Sequence, residues 1–187
     1  MAFFINDIWE FAPSWTLNAG VRYDDHSHAG DETTLSAGMN KKFNEDSHAY
    51  VNWGQIFRAP TTDDLFYESW MGKGDPNLKP ETGESWTIGY TQKIKDNTNL
   101  TINYFESKLE DAIRWNSITD DAGNWISSKV ENIDKQEKRG MELSVSHKYN
   151  KNLDFTASYT YINVKNDKND GKGFVKDSHY NPNTYRL

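Results

Sequence analysis

The sequence predicts an all-β fold: an antiparallel meander of about eight long strands, curved like the wall of a barrel. Three observations predict it. Apolar and polar residues alternate with a period of two along most of the chain, and helical periodicity is nowhere developed. Turn-forming clusters cut the alternation at Ala12-Pro13-Ser14, Asn44-Glu45-Asp46-Ser47, Lys95-Asp96-Asn97-Thr98 and Asn150-Lys151-Asn152. Between these short turns lie long polar stretches near residues 28, 70, 122 and 172, so connections alternate short and long. Transmembrane barrels carry short turns at one mouth and long loops at the other, whereas a soluble sandwich gives no reason for the asymmetry.

Taken in order, strand one covers about Ala2 to Phe11 and is aromatic-rich with an ambiguous phase. Strand two sets Trp15, Leu17, Ala19, Val21 and Tyr23 on one face against Thr16, Asn18, Gly20, Arg22 and Asp24. An aromatic near each end of the apolar face suits a lipid-facing strand held between interfacial girdles. A polar loop, Asp25 to Glu32, follows with His26 and His28. Strand three shows Leu35, Ala37 and Met39, and strand four Ala49, Val51 and Trp53. Strand five shows Trp86, Ile88 and Tyr90. Strand six shows Leu100, Ile102 and Tyr104 and is expected to extend toward Trp115, up to the turn cluster Asp120–Asn124. Strand seven runs from Val130 to His147 with Met141, Leu143 and Val145 outward. Strand eight shows Leu153, Phe155, Ala157, Tyr159 and Tyr161, and a loop is expected from Asn166 to Lys172. Each strand is expected to be about as long as a tilted membrane crossing needs, roughly 9–11 residues.

Composition fits this fold and narrows the function. The 187 residues carry a formal net charge of -7, which opposes nucleic-acid binding and a basic membrane-surface patch. There is no Cys, hence neither a disulfide framework nor a thiolate metal site. Mean hydropathy is -0.91, and no apolar run approaches the roughly 20 residues of a spanning helix. In a barrel that polarity is expected, because lipid-facing and lumen-facing residues average out. Seven Trp and ten Tyr supply girdle residues.

Strands four and five are joined by Phe57 to Glu81. Pro60, Pro76 and Pro80 lack a backbone donor and bias their predecessors to extended geometry, so this stretch reads as an ordered loop of turns. Thr61 and Asp64 have the spacing to cap one short helical turn.

These residues also carry a resemblance. Phe57-Arg58-Ala59-Pro60, an acidic-aromatic segment, Asn77-Leu78-Lys79-Pro80-Glu81 and a Trp86-containing strand together resemble the barrel of TonB-dependent outer-membrane receptors. Phe4-Ile5-Asn6-Asp7-Ile8-Trp9, Leu17-Asn18-Ala19-Gly20-Val21-Arg22-Tyr23-Asp24, Arg139-Gly140-Met141-Glu142-Leu143 and Ala157-Ser158-Tyr159-Thr160-Tyr161 resemble further strands of the family, in the family's order. The resemblance implies a much larger barrel, about 22 strands around a plugged lumen. Residues 1–187 would then be one segment of that wall, a curved and unclosed sheet, with the plug domain and the other strands elsewhere. The start shows no secretory signal, which an exported protein needs, so the chain is expected to be an internal piece of a longer one.

The resemblance further implies location in the bacterial outer membrane and uptake of an iron complex, foremost a ferric siderophore, with haem and cobalamin as relatives. The work is energised by the TonB complex acting through the plug. Haem receptors of the family typically carry a His between the two loop motifs. Phe57 to Leu78 has none, and the second motif reads Asp75-Pro76-Asn77-Leu78, which lowers haem.

Candidate ligand contacts in the long loops are Arg58, Tyr67, Trp70, Trp115 and Trp125, because aromatic faces stack on flat ligands and a guanidinium attracts anions. Phe66 belongs with them, although loop packing competes for it. Arg22, Asp24, Asn40, Asn52, Asn103 and Glu142 form an inward polar set suited to a wet lumen and available to a plug. No catalytic residue, metal site or cofactor is expected. Asp63 and Asp64 read as a cap in a solvated loop, His26 and His28 lack a third ligand, and Asp120, Asp121 and Asn124 miss calcium-loop spacing. The rival readings are a passive porin-type channel and a soluble β-rich binding or adhesin module.

Overall fold

A computed structural model describes residues 1–168, 171–178 and 180–186. Eight long strands form one antiparallel meander: β1 (Ala2–Ala12), β2 (Trp15–His26), β3 (Gly30–Asn44), β4 (Ser47–Arg58), β7 (Glu81–Ile94), β8 (Thr98–Thr119), β9 (Trp125–Asn150) and β10 (Leu153–Asp167). Inside the β4–β7 connection lie a one-turn helix α1 (Thr62–Phe66) and a small hairpin, β5 (Glu68–Ser69) with β6 (Gly72–Lys73). Short strands β11 (Val175–Lys176) and β12 (Asn183–Arg186) both pair with β10. The sheet does not close: β1 is one edge, and β11 and β12 lie at the other. Of the expected loop from Asn166 to Lys172, Asn169 and Asp170 fall outside the described residues.

Register carries the alternation across the whole sheet. Leu17 pairs Met39, Met39 pairs Val51, Val51 pairs Ile88, Ile88 pairs Tyr104 and Tyr104 pairs Met141. Because direct partners share a face, the apolar residues of six strands form one continuous outer band. The band is open to its surroundings: Val21 is 40 % exposed, Ile88 54 % and Phe155 53 %. A soluble sandwich would have sealed these residues in a core. Aromatic pairs mark the two margins, Trp53 with Trp86 on one side and Phe11 with Trp15, Phe43 with Tyr90 and Tyr149 with Phe155 on the other. The phase of β1 is settled by its partner: Phe3, Ile5 and Trp9 lie opposite Tyr23, Val21 and Leu17 and so face outward.

The inward face is polar and closely fitted. Asn40, Tyr50, Gly89, Asn103, Glu142 and Thr160 form one row across six strands. Tyr50 lies across Gly89, donating its hydroxyl to Asn103 Oδ1 at 2.7 Å. A Cβ at Gly89 would lie 2.3 Å from the Tyr50 ring. Phe105 covers Gly140 in the same manner, 2.6 Å from an added Cβ.

Two expectations are corrected. The long loop expected from Asp25 to Glu32 is a tight tip of three residues, Ser27 to Ala29, because Asp24, Asp25 and His26 pair with Glu32, Asp31 and Gly30. Likewise β8 and β9 run for 22 and 26 residues, well beyond a membrane crossing, and meet at Asp120–Asn124. Beyond the lipid both faces of a strand are wet, so the apolar-polar contrast that signals a strand disappears. Extended strands therefore read as loops. The asymmetry itself is present: the turns at Pro13, Glu45, Lys95 and Lys151 are tight, and the strands overshoot only at the other end.

Candidate functional site

The overshooting ends and the β4–β7 connection fold onto one another at one mouth of the sheet. Their organiser is α1. Thr61 Oγ1 accepts from the Asp64 amide at 3.1 Å, and Asp64 Oδ2 accepts from the Thr61 amide at 3.0 Å, a reciprocal capping box. Asp64 does more than cap. Its Oδ1 accepts the indole N–H of Trp115 at 3.1 Å, and Arg58 Nη1 lies 3.4 Å from its Oδ2. Burial pushes this carboxyl up, but the Thr61 hydrogen bonds, the Trp115 indole and the Arg58 charge outweigh burial and hold it below its ordinary value.

Arg58 is engaged on a second side by Glu81, with Nε to Oε2 at 2.6 Å and Nη2 to Oε1 at 3.1 Å. Glu81 Oε1 also accepts the Ile113 amide at 2.6 Å. One network thus ties the end of β4, the start of β7, α1 and β8. Beneath it, Leu65, Leu78, Ile113 and Val130 form a small buried apolar cluster. Asn132 fastens the loop from the far side, accepting from the Lys79 amide and donating to the Lys79 carbonyl. Gly72 of β6 pairs with Ser128 of β9 in parallel, so the inserted hairpin becomes part of the sheet.

The ligand-contact candidates come together in this structure. Tyr67 meets Trp115 edge-on at 5.7 Å, and Trp70 meets Trp125 edge-on at 6.2 Å. Trp70 is 79 % exposed and Trp125 46 %, so this pair presents an open aromatic surface. Arg58, by contrast, is committed to two carboxylates, and the Trp115 indole N–H is committed to Asp64. Phe66 is not the packed member of the loop. Leu65 beside it is buried, while Phe66 is 60 % exposed and touches the ring of His28 at 5.9 Å.

His28 also contacts the Pro76 carbonyl through Nε2 at 3.1 Å. The β2–β3 tip is thereby docked on the loop, a contact that sequence reasoning missed because it joins residues 48 positions apart. His26 Nδ1 accepts from the amides of His28 and Ala29, which makes it a turn cap. Asp120 caps the β8–β9 tip, accepting from the amide and side chain of Asn124. Among the described residues no group of three His, Cys, Asp or Glu is arranged to hold a metal.

Of the inward set, Asn40, Asn103 and Glu142 lie in the row described above, and Asn52 lies beside Gly38 in the next. Arg22 and Asp24 hold each other, with Nε to Oδ2 at 2.6 Å.

Comparison with known proteins agrees with this architecture. The family model described as TonB dependent receptor-like, beta-barrel, matches residues 1–186. The vitamin B12 transporter BtuB of Photobacterium profundum is 28 % identical over 181 residues, covering 95 % of this chain and 28 % of that protein. The chain therefore spans about a quarter of the length of this curated relative. The siderophore receptor PirA of Pseudomonas aeruginosa superposes with a TM-score of 0.70 at 19 % identity, over 91 % of this chain and 37 % of that one. A mutant ferric enterobactin receptor, PfeA of the same organism, in complex with enterobactin, superposes with a TM-score of 0.66 at 18 % identity, over 91 % of this chain and 30 % of that one. The polar inner rows, the open apolar band and the match over nearly every residue lead to one conclusion: the chain belongs to the TonB-dependent receptors of the bacterial outer membrane, and its residues form barrel wall.

Proposed function

We propose that this wall belongs to a receptor that takes up an iron complex, foremost a ferric siderophore, with the TonB complex driving a plug that fills the lumen. The observation that carries the reading is the built mouth: three outer connections locked together through His28, Asp64 and Arg58, with Trp70 and Trp125 left open above them. A passive channel has no need of an ordered aromatic surface there. In this reading Trp70, Trp125 and Tyr67 touch the ligand, whereas Arg58 and Trp115 position the loop that presents them. Arg22, Asp24, Asn40, Asn52, Asn103 and Glu142 face the plug.

Cobalamin is the second reading, favoured by the likeness to BtuB along almost the whole chain. The test is uptake by cells whose sole outer-membrane receptor carries this segment. Labelled ferric siderophore should enter, stop when the proton gradient is collapsed, and slow when Trp70 and Trp125 are both replaced by Ala. Entry of labelled cobalamin alone would replace the first reading by the second. Entry of small solutes regardless of the gradient would replace both by a passive channel.

A further inference from the structure

The mouth holds a second feature, beside the open Trp70–Trp125 pair. Register places Gln136 and Asn166 as direct partners across β9 and β10, in phase with Gly140 and Ile162, hence on the inward face. From them hangs a chain of hydrogen bonds. Arg114 Nη2 donates to Gln136 Oε1 at 2.5 Å, Gln136 Nε2 donates to Asn166 Oδ1 at 2.8 Å, and Asn166 Nδ2 donates to Asp177 Oδ2 at 2.9 Å. Gln136 is 1 % exposed and has both ends of its amide used, so the chain has a definite direction of donors. It fastens the segment after β10 over the inner side of β8 and β9.

Between that segment and β8 lies a cleft of about 700 Å³, lined among others by Arg114, Trp115, Lys168, Lys176 and Tyr180. Its volume falls in the range of sites for small molecules. Its charge is opposite to that of the protein. The chain as a whole carries -7, yet Arg114, Lys168 and Lys176 line this one cleft, with Asp177 as a lining carboxylate. Lys172 lines it too and is already engaged. A fifth cation, Lys138, lies over the ring of Tyr180 at 5.5 Å.

The nearby carboxylates are already partly engaged. Asp177, which lines the cleft, accepts from Asn166, and Glu131 is held by Lys129 at 2.6 Å and by Asn116 at 2.6 Å, with the charge of Lys168 also acting on it. Arg114 keeps its Nε buried without a protein partner among the described residues. A buried guanidinium nitrogen without an acceptor is costly. The aromatic rings of Trp115 and Tyr180 add flat walls to the same space.

We propose that this cleft binds the anionic, oxygen-rich part of the cargo, a cluster of carboxylate, catecholate or phosphate oxygens, and so makes the receptor select negatively charged complexes over neutral ones. The assignment deepens the uptake reading and rests on it for the identity of the cargo.

The experiment uses a complete receptor barrel carrying this segment, in detergent micelles. Three probes are titrated: tripolyphosphate as a metal-free polyanion, a ferric tricatecholate chelate with three negative charges, and a neutral ferric trihydroxamate chelate. Each is measured with the unaltered protein and with the double variant Lys168→Gln, Lys176→Gln. Both positions lie outside the hydrogen-bonded chain, so the fold is expected to survive, and the unchanged urea midpoint of the barrel verifies it. The expected result is that the polyanion and the charged chelate bind the unaltered protein and bind the variant at least about tenfold more weakly. The neutral chelate is expected to bind both proteins alike, and the salt dependence of the first two probes is expected to flatten in the variant.

Polyanion binding that depends on the two lysines, with neither chelate bound, would leave the anion cleft standing and overturn the iron-complex reading. Absence of polyanion binding, or binding indifferent to the two lysines, would overturn the cleft itself. An unaltered protein that binds the neutral chelate as tightly as the charged one would overturn the selectivity.

Discussion

At the scale of single residues, glycine placement and one carboxylate decide most. Gly89 is required by a close approach: its Cβ would lie 2.3 Å from Tyr50, whose hydroxyl is anchored on Asn103. Gly89→Ala should destabilise the barrel by about 1–3 kcal/mol, as overpacking does, and Tyr50→Ala in the same chain should recover part of the loss. Urea midpoints of the two variants and the double variant measure that coupling. Asp64 sets the acid response of the mouth. Its carboxyl titrates below the ordinary 3.8, so its contribution is complete above the unfolded value and is lost as pH falls through the lower native one. Fluorescence of Trp115 should therefore hold steady from pH 7 down to about 4 and change only in stronger acid. A change centred near pH 6 would assign the control to another group. The Thr61–Asp64 capping box was legible in the sequence because it is a local spacing. The partnership of Asp64 with Trp115, 51 positions away, was not.

At the scale of elements, strands were legible wherever one face meets lipid. The outward sets on β2, β3, β4, β7, β8, β9 and β10 were read directly from alternation, and cross-strand register confirms each of them. The β2–β3 tip and the outer halves of β8 and β9 were less legible, because water on both faces removes the contrast that alternation depends on. There the strand is supported by pairing and by the docked loop instead. The short helix α1 is the weak link of that loop, since five residues cannot sustain a helix without a cap. Thr61→Ala should cost about 1 kcal/mol of local stability. Hydrogen exchange should show faster opening at the amides of Asp64 and Leu65, with β4 and β7 unchanged. Exchange that rises equally across the sheet would mean that the loop and the wall open as one unit.

At the scale of the whole molecule, the physics is that of an inside-out sheet. Ile88→Lys on the outer band should cost about 2–4 kcal/mol in a bilayer, whereas Thr87→Lys on the inner face should be tolerated within about 1 kcal/mol. Urea titration in lipid vesicles compares the two adjacent positions. Residues 1–187 alone in buffer without detergent should aggregate, because Ile88, Phe155 and Met141 stay exposed and both sheet edges carry unpaired backbone groups. Light scattering reads the outcome, and a dispersed monomer that unfolds cooperatively would contradict an outer-membrane wall.

By itself, the sequence determined the number of long strands, the lipid-facing residues of every long strand but the first, the capping box and the family, because each is written in spacings of a few residues or in short motifs. Only tertiary structure decided which loop side chains are free. Arg58 turned out to be bound by Glu81 and Asp64, Trp115 to be held by Asp64, and Trp70 and Trp125 to stand open as a pair. Only tertiary structure, too, brought Arg114, Lys168 and Lys176 around one cleft. The reason is physical: a side chain's availability depends on partners that the fold brings from tens of positions away, and no local pattern encodes that proximity.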